Sequence, residues 1–302
     1  MNIQISEFAN EHLTTVAGLL NSVYRDSYEF IPFDEERVTS QIRKWRLNVL
    51  VAEEDGNTLG VIGTRLEERS EENISWLAVR EGSDRKNVEN MLVDAVETKA
   101  KSNTISTTVD EESPHIIDWI NRGYSLNPGW LRMSKKLDDL KPAPRVAEGI
   151  RLRSLRLGEE EKLVEIMNTG FGWHRLDLVA LEGWRLEDPP FSEDWVQVAE
   201  AGGRFVSAVV ARPDTDYNKY LHLRRGYLGP AATLPEFRNK HLASALTVQA
   251  MNFLFEKGMN SVRLGTSEQN VSSITLLRSL GFQVENVRKI LRKNLKKVHP
   301  ET

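Results

Sequence analysis

Apolar residues along this chain follow two rhythms. Mostly apolar runs such as Asn48 to Ala52 and Phe205 to Ala211 have the length of strands. Elsewhere apolar residues recur every three or four positions. The clearest case is Leu242 to Lys257, where Leu242, Ala245, Leu246, Ala250, Phe253 and Leu254 form one stripe and predict a helix. The same spacing predicts helices near Glu11 to Tyr24, Asp34 to Arg46, Asn87 to Lys101 and Pro114 to Arg122. Later in the chain it predicts helices near Glu159 to Thr169, Leu176 to Trp184 and Ser272 to Leu280. Gly226 to Thr233 reads as a strand, which Pro235 ends.

The order of elements repeats. Ile3-Gln4-Ile5 and Ile150-Arg151-Leu152 open two halves 147 positions apart. Val51-Ala52-Glu53-Glu54-Asp55-Gly56 and Val198-Ala199-Glu200-Ala201-Gly202-Gly203 stand at the same offset, each an apolar-flanked turn whose glycine accepts positive φ. Gly123-Tyr124 and Gly281-Phe282 lie 158 apart, and a long second-half loop, Pro213 to Tyr220, accounts for part of the difference. Each half therefore reads β-α-α-β-β-β-α-β-α-β. The charged, proline-bearing run Asp138 to Arg145 reads as the junction. The expected division is 1–140, a linker over 141–148, and 149–302.

Composition narrows the function classes. A 302-residue chain with net charge -4 lacks the basic excess of a general nucleic-acid or membrane-surface binder. No apolar run reaches membrane-spanning length, and the N-terminus lacks the pattern of a signal peptide, so a cytoplasmic protein is expected. Without cysteine there is no disulfide, thiolate metal site or thiol nucleophile. His12, His115 and His299 do not have metal-ligand spacing, and no metal is expected. Glu67 to Glu72 is a charge run that a solvated hairpin loop explains.

Candidate chemistry lies after the strand ending at Thr233. A loop feeding a helix start offers unpaired N–H groups and the positive end of the helix dipole, which suits phosphate. Arg238-Asn239-Lys240-His241-Leu242-Ala243-Ser244 has that position, with Arg238 and Lys240 adding charge and Ser244 a hydroxyl. As a group, Arg238 and Lys240 read either as phosphate contacts or as solvated charges. Further on, Asn270 and Ser273 open a helix that closes on Leu280-Gly281-Phe282.

Strand, loop, helix and strand, followed by this asparagine-led helix, resemble the GNAT family of N-acetyltransferases. The loop is similar to the family's Arg/Gln-x-x-Gly-x-Gly/Ala motif at Arg238 and Ala243. It departs at His241, where the family has glycine. The resemblance covers nearly the whole chain as two tandem domains. It implies an α/β (α+β) fold in which each domain has a mixed, mostly antiparallel sheet of six or seven strands flanked by helices. It also implies acetyl-CoA as co-substrate and direct transfer to a small-molecule or peptide amine in the second domain. Pantetheine would lie along the backbone of Ala231, Ala232 and Thr233 like an added strand. The phosphates would lie at Arg238, Asn239, Lys240, His241, Leu242, Ala243 and Ser244, and Asn270 and Ser273 would border the arm. Asn270 equally reads as a helix N-cap. His241 reads either as an αR residue that weakens binding, its Cβ excluding the positive φ that glycine takes easily, or as a surface histidine without consequence.

The family's proton-donor tyrosine falls at Leu277, and at Trp119 in the first half, so neither half has a hydroxyl there. The family's general-base position on the fourth strand falls at Tyr227, whose strand alternation should align it with Gly229 and Ala231. Glu268 and His222 are the other catalytic candidates. Trp173-His174-Arg175 corresponds to the acceptor loop and would suit an acidic or aromatic acceptor. In the first half Asp84 and Glu89 stand where Arg238 and Ala243 stand in the second, an offset of 154. These acids would repel pyrophosphate and occupy room that the small residue leaves for it, so one cofactor site is expected per chain. Because duplication supplies a face that single-domain members bury by dimerising, a monomer is expected. The alternative function is a non-catalytic CoA-binding or scaffold module.

Overall fold

The structure, a computed structural model, describes residues 3–67, 71–82, 84–185 and 190–295. Glu68, Arg69 and Ser70 of the charge run, and His299, lie outside the described residues. The chain divides into two compact units, one of Met1–Trp130 with Asn286–Thr302 and the other of Leu131–Glu285.

The first unit is built from β1 (Gln4–Glu7), α1 (Leu13–Tyr24), α2 (Glu35–Trp45), β2 (Asn48–Glu54), β3 (Asn57–Leu66), β4 (Glu72–Val79), α3 (Arg85–Lys99), β5 (Thr104–Asp110), α4 (Ile116–Asn121) and β6 (Ser125–Lys136). Its sheet runs β1-β2-β3-β4-β5 and is completed by β12 (Gln283–Asn294) from the end of the chain. All described pairs are antiparallel except β4–β5. Both faces are covered, which is why Val49 to Ala52 is apolar without alternation. Leu50 and Ala52 join the side carrying Val88, Leu92 and Val96 of α3, while Val49 and Val51 join Val16, Leu20 and Val38 of α1 and α2. Helix boundaries follow local chemistry: the Asp34 side chain accepts from the Arg37 N–H at 2.7 Å at the start of α2.

The second unit repeats the plan with β7 (Ile150–Ser154), α5 (Glu160–Phe171), α6 (Leu178–Arg185), β8 (Val196–Ala201), β9 (Arg204–Pro213), α7 (Thr215–Leu221), β10 (Arg225–Thr233), α8 (Leu242–Glu256), β11 (Ser261–Ser267) and α9 (Val271–Ser279). Its sheet runs β7-β8-β9-β10-β11, with β6 next to β11. The β10–β11 pair is parallel and the others with described register are antiparallel. All eight expected helices are present. The run Pro213 to Tyr220, read as a loop, instead holds α7, which begins after Asp214 and stops at the left-handed His222 (φ 53). Among the described residues no helix is long and apolar enough to cross a membrane.

The units do not follow the proline-bearing junction. They change within β6, at Trp130/Leu131, and within β12, at Glu285/Asn286. The last strand of each half therefore contributes to the other half's unit. Leu291 of β12 is fully buried in the first unit's core, beside Ile105 and Trp119. Arg292 forms a two-pronged ion pair with Glu71 (2.6 and 3.0 Å), and Lys293 reaches Glu97 at 2.6 Å. Met133 of β6 is fully buried, and the Leu137 N–H donates to the Asn260 carbonyl at 2.9 Å within the second unit.

Candidate active site

The site begins where two parallel strands part. β10 and β11 are in register only at Arg225–Ser261, Gly226–Val262 and Tyr227–Arg263, although both strands run on. On its other side β10 stays paired with β9 up to Thr233–Ser207. Beyond Tyr227 one edge of β10 therefore faces an opening. The Leu234 N–H donates to the Val206 carbonyl at 3.0 Å, which sets which residues bond to β9. Alternation then makes Ala232–Ala208 a bonded pair and leaves the N–H and C=O of Ala231 and Thr233 pointing into the split.

A bulge makes this geometry possible. Between Leu228 and Ala231 β10 gains one residue on β9, at Gly229-Pro230, a cis peptide. Gly229 has φ 132, a conformation that glycine accepts and side chains resist. The bulge also reverses the side-chain alternation. Before it, Gly226 lies against Leu254 of α8; after it, Ala232 lies against Gly170 of α5, where a Cβ on Gly170 would come within 2.8 Å. Tyr227 therefore does not share a face with Ala231, as unbroken alternation predicted. It faces Arg212, whose guanidinium lies between the Tyr227 ring (6.0 Å) and Trp184 of α6 (5.4 Å). A Cβ at Gly265 of β11 would lie 3.9 Å from the Tyr227 hydroxyl, which places that hydroxyl at the root of the split.

The loop from Arg238 to Ser244 turns left-handed at its histidine. His241 has φ 60 and ψ 10, and Asn239 also has φ 60, so the αR reading of His241 does not hold. Lys240 between them keeps negative φ. Asn and His tolerate the left-handed region better than most side chains, and such alternation turns successive N–H groups toward one concavity. The Ala245 N–H opens the ladder of α8 by bonding the His241 carbonyl at 2.9 Å. The N–H groups of Leu242, Ala243 and Ser244 precede the ladder at the positive end of the helix. Arg238 is neither a purely solvated charge nor aimed only outward. Its Nη2 donates to the Gly170 carbonyl at 3.1 Å and its Nε to the Thr233 carbonyl at 3.4 Å, tying the loop to α5 and the end of β10. The Lys240 ammonium lies 4.6 Å from the centre of the Phe237 ring.

Asn270 is an N-cap: its side chain accepts from the Ser273 N–H at 3.1 Å, so that N–H is already used at the start of α9. Glu268 follows β11 at the wide end of the split and is half-buried. His222 is not brought to the site. It is exposed and caps α7 ahead of β10, at the end of the strand away from the opening. Leu277 is buried in the core. Trp173 packs edge-on against Phe171 at 5.8 Å, with Arg175 5.7 Å from both ring centres.

Sequence reasoning missed a buried charge cluster beside Tyr227. Asp214 receives Arg225 Nε at 2.8 Å and faces Arg263 Nε at 2.6 Å, and Tyr217 of α7 lies under both guanidiniums (5.0 and 4.0 Å). Burial raises the Asp214 carboxyl above its usual value, against the pull of Arg263 and Arg225. Arg225 at the start of β10 and Arg263 within β11 were the available signal, but their partner sits in a segment read as a loop.

A family model described as the acetyltransferase (GNAT) family matches residues 160–282. The chain is 28% identical over 152 residues to the mycothiol acetyltransferase of Saccharomonospora viridis, covering 47% of this chain and 48% of that protein. It is 29% identical over 165 residues to that of Thermobispora bispora, covering 50% and 52%. The matched part thus spans about half the length of these relatives. Among solved structures, a GCN5-related N-acetyltransferase from Sphaerobacter thermophilus covers 98% of this chain and 96% of its own, with TM-score 0.72 and 16% identity. A tandem GNAT protein from the clavulanic acid biosynthesis pathway covers 99% and 100%, with TM-score 0.68 and 14% identity.

Proposed function

We propose that this chain, which carries a GNAT domain in its second half and folds as a tandem GNAT protein, is an acetyl-CoA-dependent N-acyltransferase with its active site in the β10–β11 split. The observation that carries the reading is the joint one of a strand edge open at Ala231 and at the Thr233 N–H, with the Thr233 carbonyl held by Arg238, and a left-handed loop at Asn239 and His241. The edge suits an amide-bearing arm and the loop suits a pyrophosphate. Acetyl-CoA supplies an activated acyl thioester. The acceptor amine nitrogen forms a bond to the acyl carbon, the carbon–sulfur bond breaks, and the amine proton is lost as the thiolate gains one. An outward N–H of β10 is placed to hold the carbonyl oxygen as it gains charge. Tyr227, at the root of the split, is the leading proton carrier, with Glu268 the second candidate. His222 is withdrawn because of its position.

The acceptor is a small-molecule or peptide amine. The Phe171–Trp173–Arg175 group fits an acidic or aromatic one. One observation favours a non-catalytic CoA-binding or scaffold module: buried Leu277 stands at the family's tyrosine position and supplies no proton. CoA-thiol release against a panel of amines separates the two readings. Thiol release that depends on an amine supports the enzyme, and CoA binding without turnover supports the module. In an active protein, Tyr227→Phe is expected to lower kcat by about tenfold or more with acetyl-CoA affinity nearly unchanged. Wild-type turnover in that variant would assign Tyr227 to packing.

A further inference from the structure

The first unit has a split of its own. β4 and β5 are in register only from Glu72–Ile105 to Ile74–Thr107, and then β4 continues to Val79 beside β3 alone. The Arg80 N–H donates to the Leu59 carbonyl at 2.8 Å, so alternation leaves the N–H and C=O of Leu77 turned away from β3, into the opening. Leu77 stands 154 positions before Ala231, and its partner Ile62 stands 147 before Val209, the partner of Ala231. The two positions are counterparts within the two sheets.

Both groups of Leu77 are occupied. Its N–H donates to the Tyr24 hydroxyl at 3.0 Å, and that hydroxyl donates to its carbonyl at 3.2 Å. A neutral phenol both donates and accepts, so one O–H takes the pair of groups that an amide of an added strand would use. Desolvation raises the Tyr24 hydroxyl above its usual value, which keeps the proton needed for the second bond. The residue 147 positions on, at the end of α5, is Phe171, which has no hydroxyl and packs against Trp173.

We infer that Tyr24 seals the first unit's strand split by standing in for the amide of a bound pantetheine arm, so that the chain seats that arm only at Ala231 and Thr233. This rests on the acetyl-CoA reading for the identity of the arm but not for the seal. The test is amide hydrogen exchange of the full chain by NMR, in the wild type and Tyr24→Phe, with and without CoA. Without CoA, the Leu77 amide is expected to be protected in the wild type and to exchange about tenfold faster in the variant. An unprotected Leu77 amide in the wild type, or an unchanged rate in a folded variant, would overturn the seal. Adding CoA to the wild type is expected to slow exchange around Ala231 to Thr233 and leave Leu77 as it was. New protection around Leu77, or two CoA sites per chain by calorimetry, would overturn the single seat. No CoA binding at all would sink the acetyl-CoA reading, while the ligand-free rates still decide the seal.

Discussion

The two loops that follow β4 and β10 start from the same plan and end as opposites. After β10 the helix waits until Leu242, and the chain before it turns left-handed at Asn239 and His241. After β4 the helix starts three residues earlier in the equivalent frame, at Arg85, and the Val88 N–H already bonds the Asp84 carbonyl at 3.1 Å. The N–H groups of Val88, Glu89 and Asn90, counterparts of Leu242, Ala243 and Ser244, are therefore spent on the helix itself. Glu89 occupies the room left by Ala243. It is buried, and paired with Arg85 and Arg122, each at 2.7 Å. The acids were expected both to repel phosphate and to take up its room, and the repulsion is weakened because Glu89 is neutralised by two arginines. The first loop is closed by occupancy and by helix, more than by repulsion.

The sharpest way to break this comparison is to separate its halves. A chain of residues 149–302 keeps the GNAT match but lacks β6, whose Met133 is buried in the second unit. It is expected to lose cooperative thermal unfolding, as followed by circular dichroism. A sharp transition with CoA bound would show that the second unit does not need that strand. Next in size, Ala243→Glu imports the first loop's side chain into the second without its two arginines. The acetyl-CoA Kd is expected to rise by roughly 10- to 100-fold, since interactions with charged groups are worth about 1.5–3 kcal/mol. Unchanged affinity in calorimetry would mean that phosphate does not reach this position.

A smaller effect is expected at His241. A left-handed non-glycine residue carries a backbone cost of order 1–3 kcal/mol. His241→Gly should therefore keep or modestly tighten CoA binding, whereas His241→Val should weaken it. If glycine weakens binding tenfold or more, the imidazole itself contacts the ligand.

The smallest expected effect compares the units through acid. In the second unit Arg153 holds Glu159 at 2.7 Å and Glu200 at 2.8 Å, and the hydrogen bond from Arg153 lowers the Glu159 carboxyl to about 2. The counterparts of Arg153 and Glu200 in the first unit are Ser6 and Glu53, joined by one hydroxyl bond. Because the folded value is depressed, this stabilisation is present above the ordinary carboxylate value of about 4.5 and is lost as pH falls from there toward 2. Glu159→Gln is expected to lower Tm at pH 6 by more than at pH 3. An equal loss at both pH values would show that the ion pair is not the cause.

The amino-acid sequence by itself determined the element order, the repeat and the place of the loop that leads into α8, because hydrophobic period and turn residues act over a few positions. Asn239 and His241 even carried a hint of their backbone, as residue types that tolerate positive φ. Three features came only with the tertiary structure. The bulge at Gly229-Pro230 turned Tyr227 away from Ala231's face, and a bulge is a property of two strands in register. The exchange of β6 and β12 moved the unit boundaries away from the proline-bearing junction, since nothing local distinguishes a strand that completes its own sheet from one that completes another. The meeting of Tyr24 with Leu77, 53 residues apart, is a matter of where helix α1 ends over the sheet. Local pattern specifies which elements form; long-range packing decides which backbone groups are left open to bind.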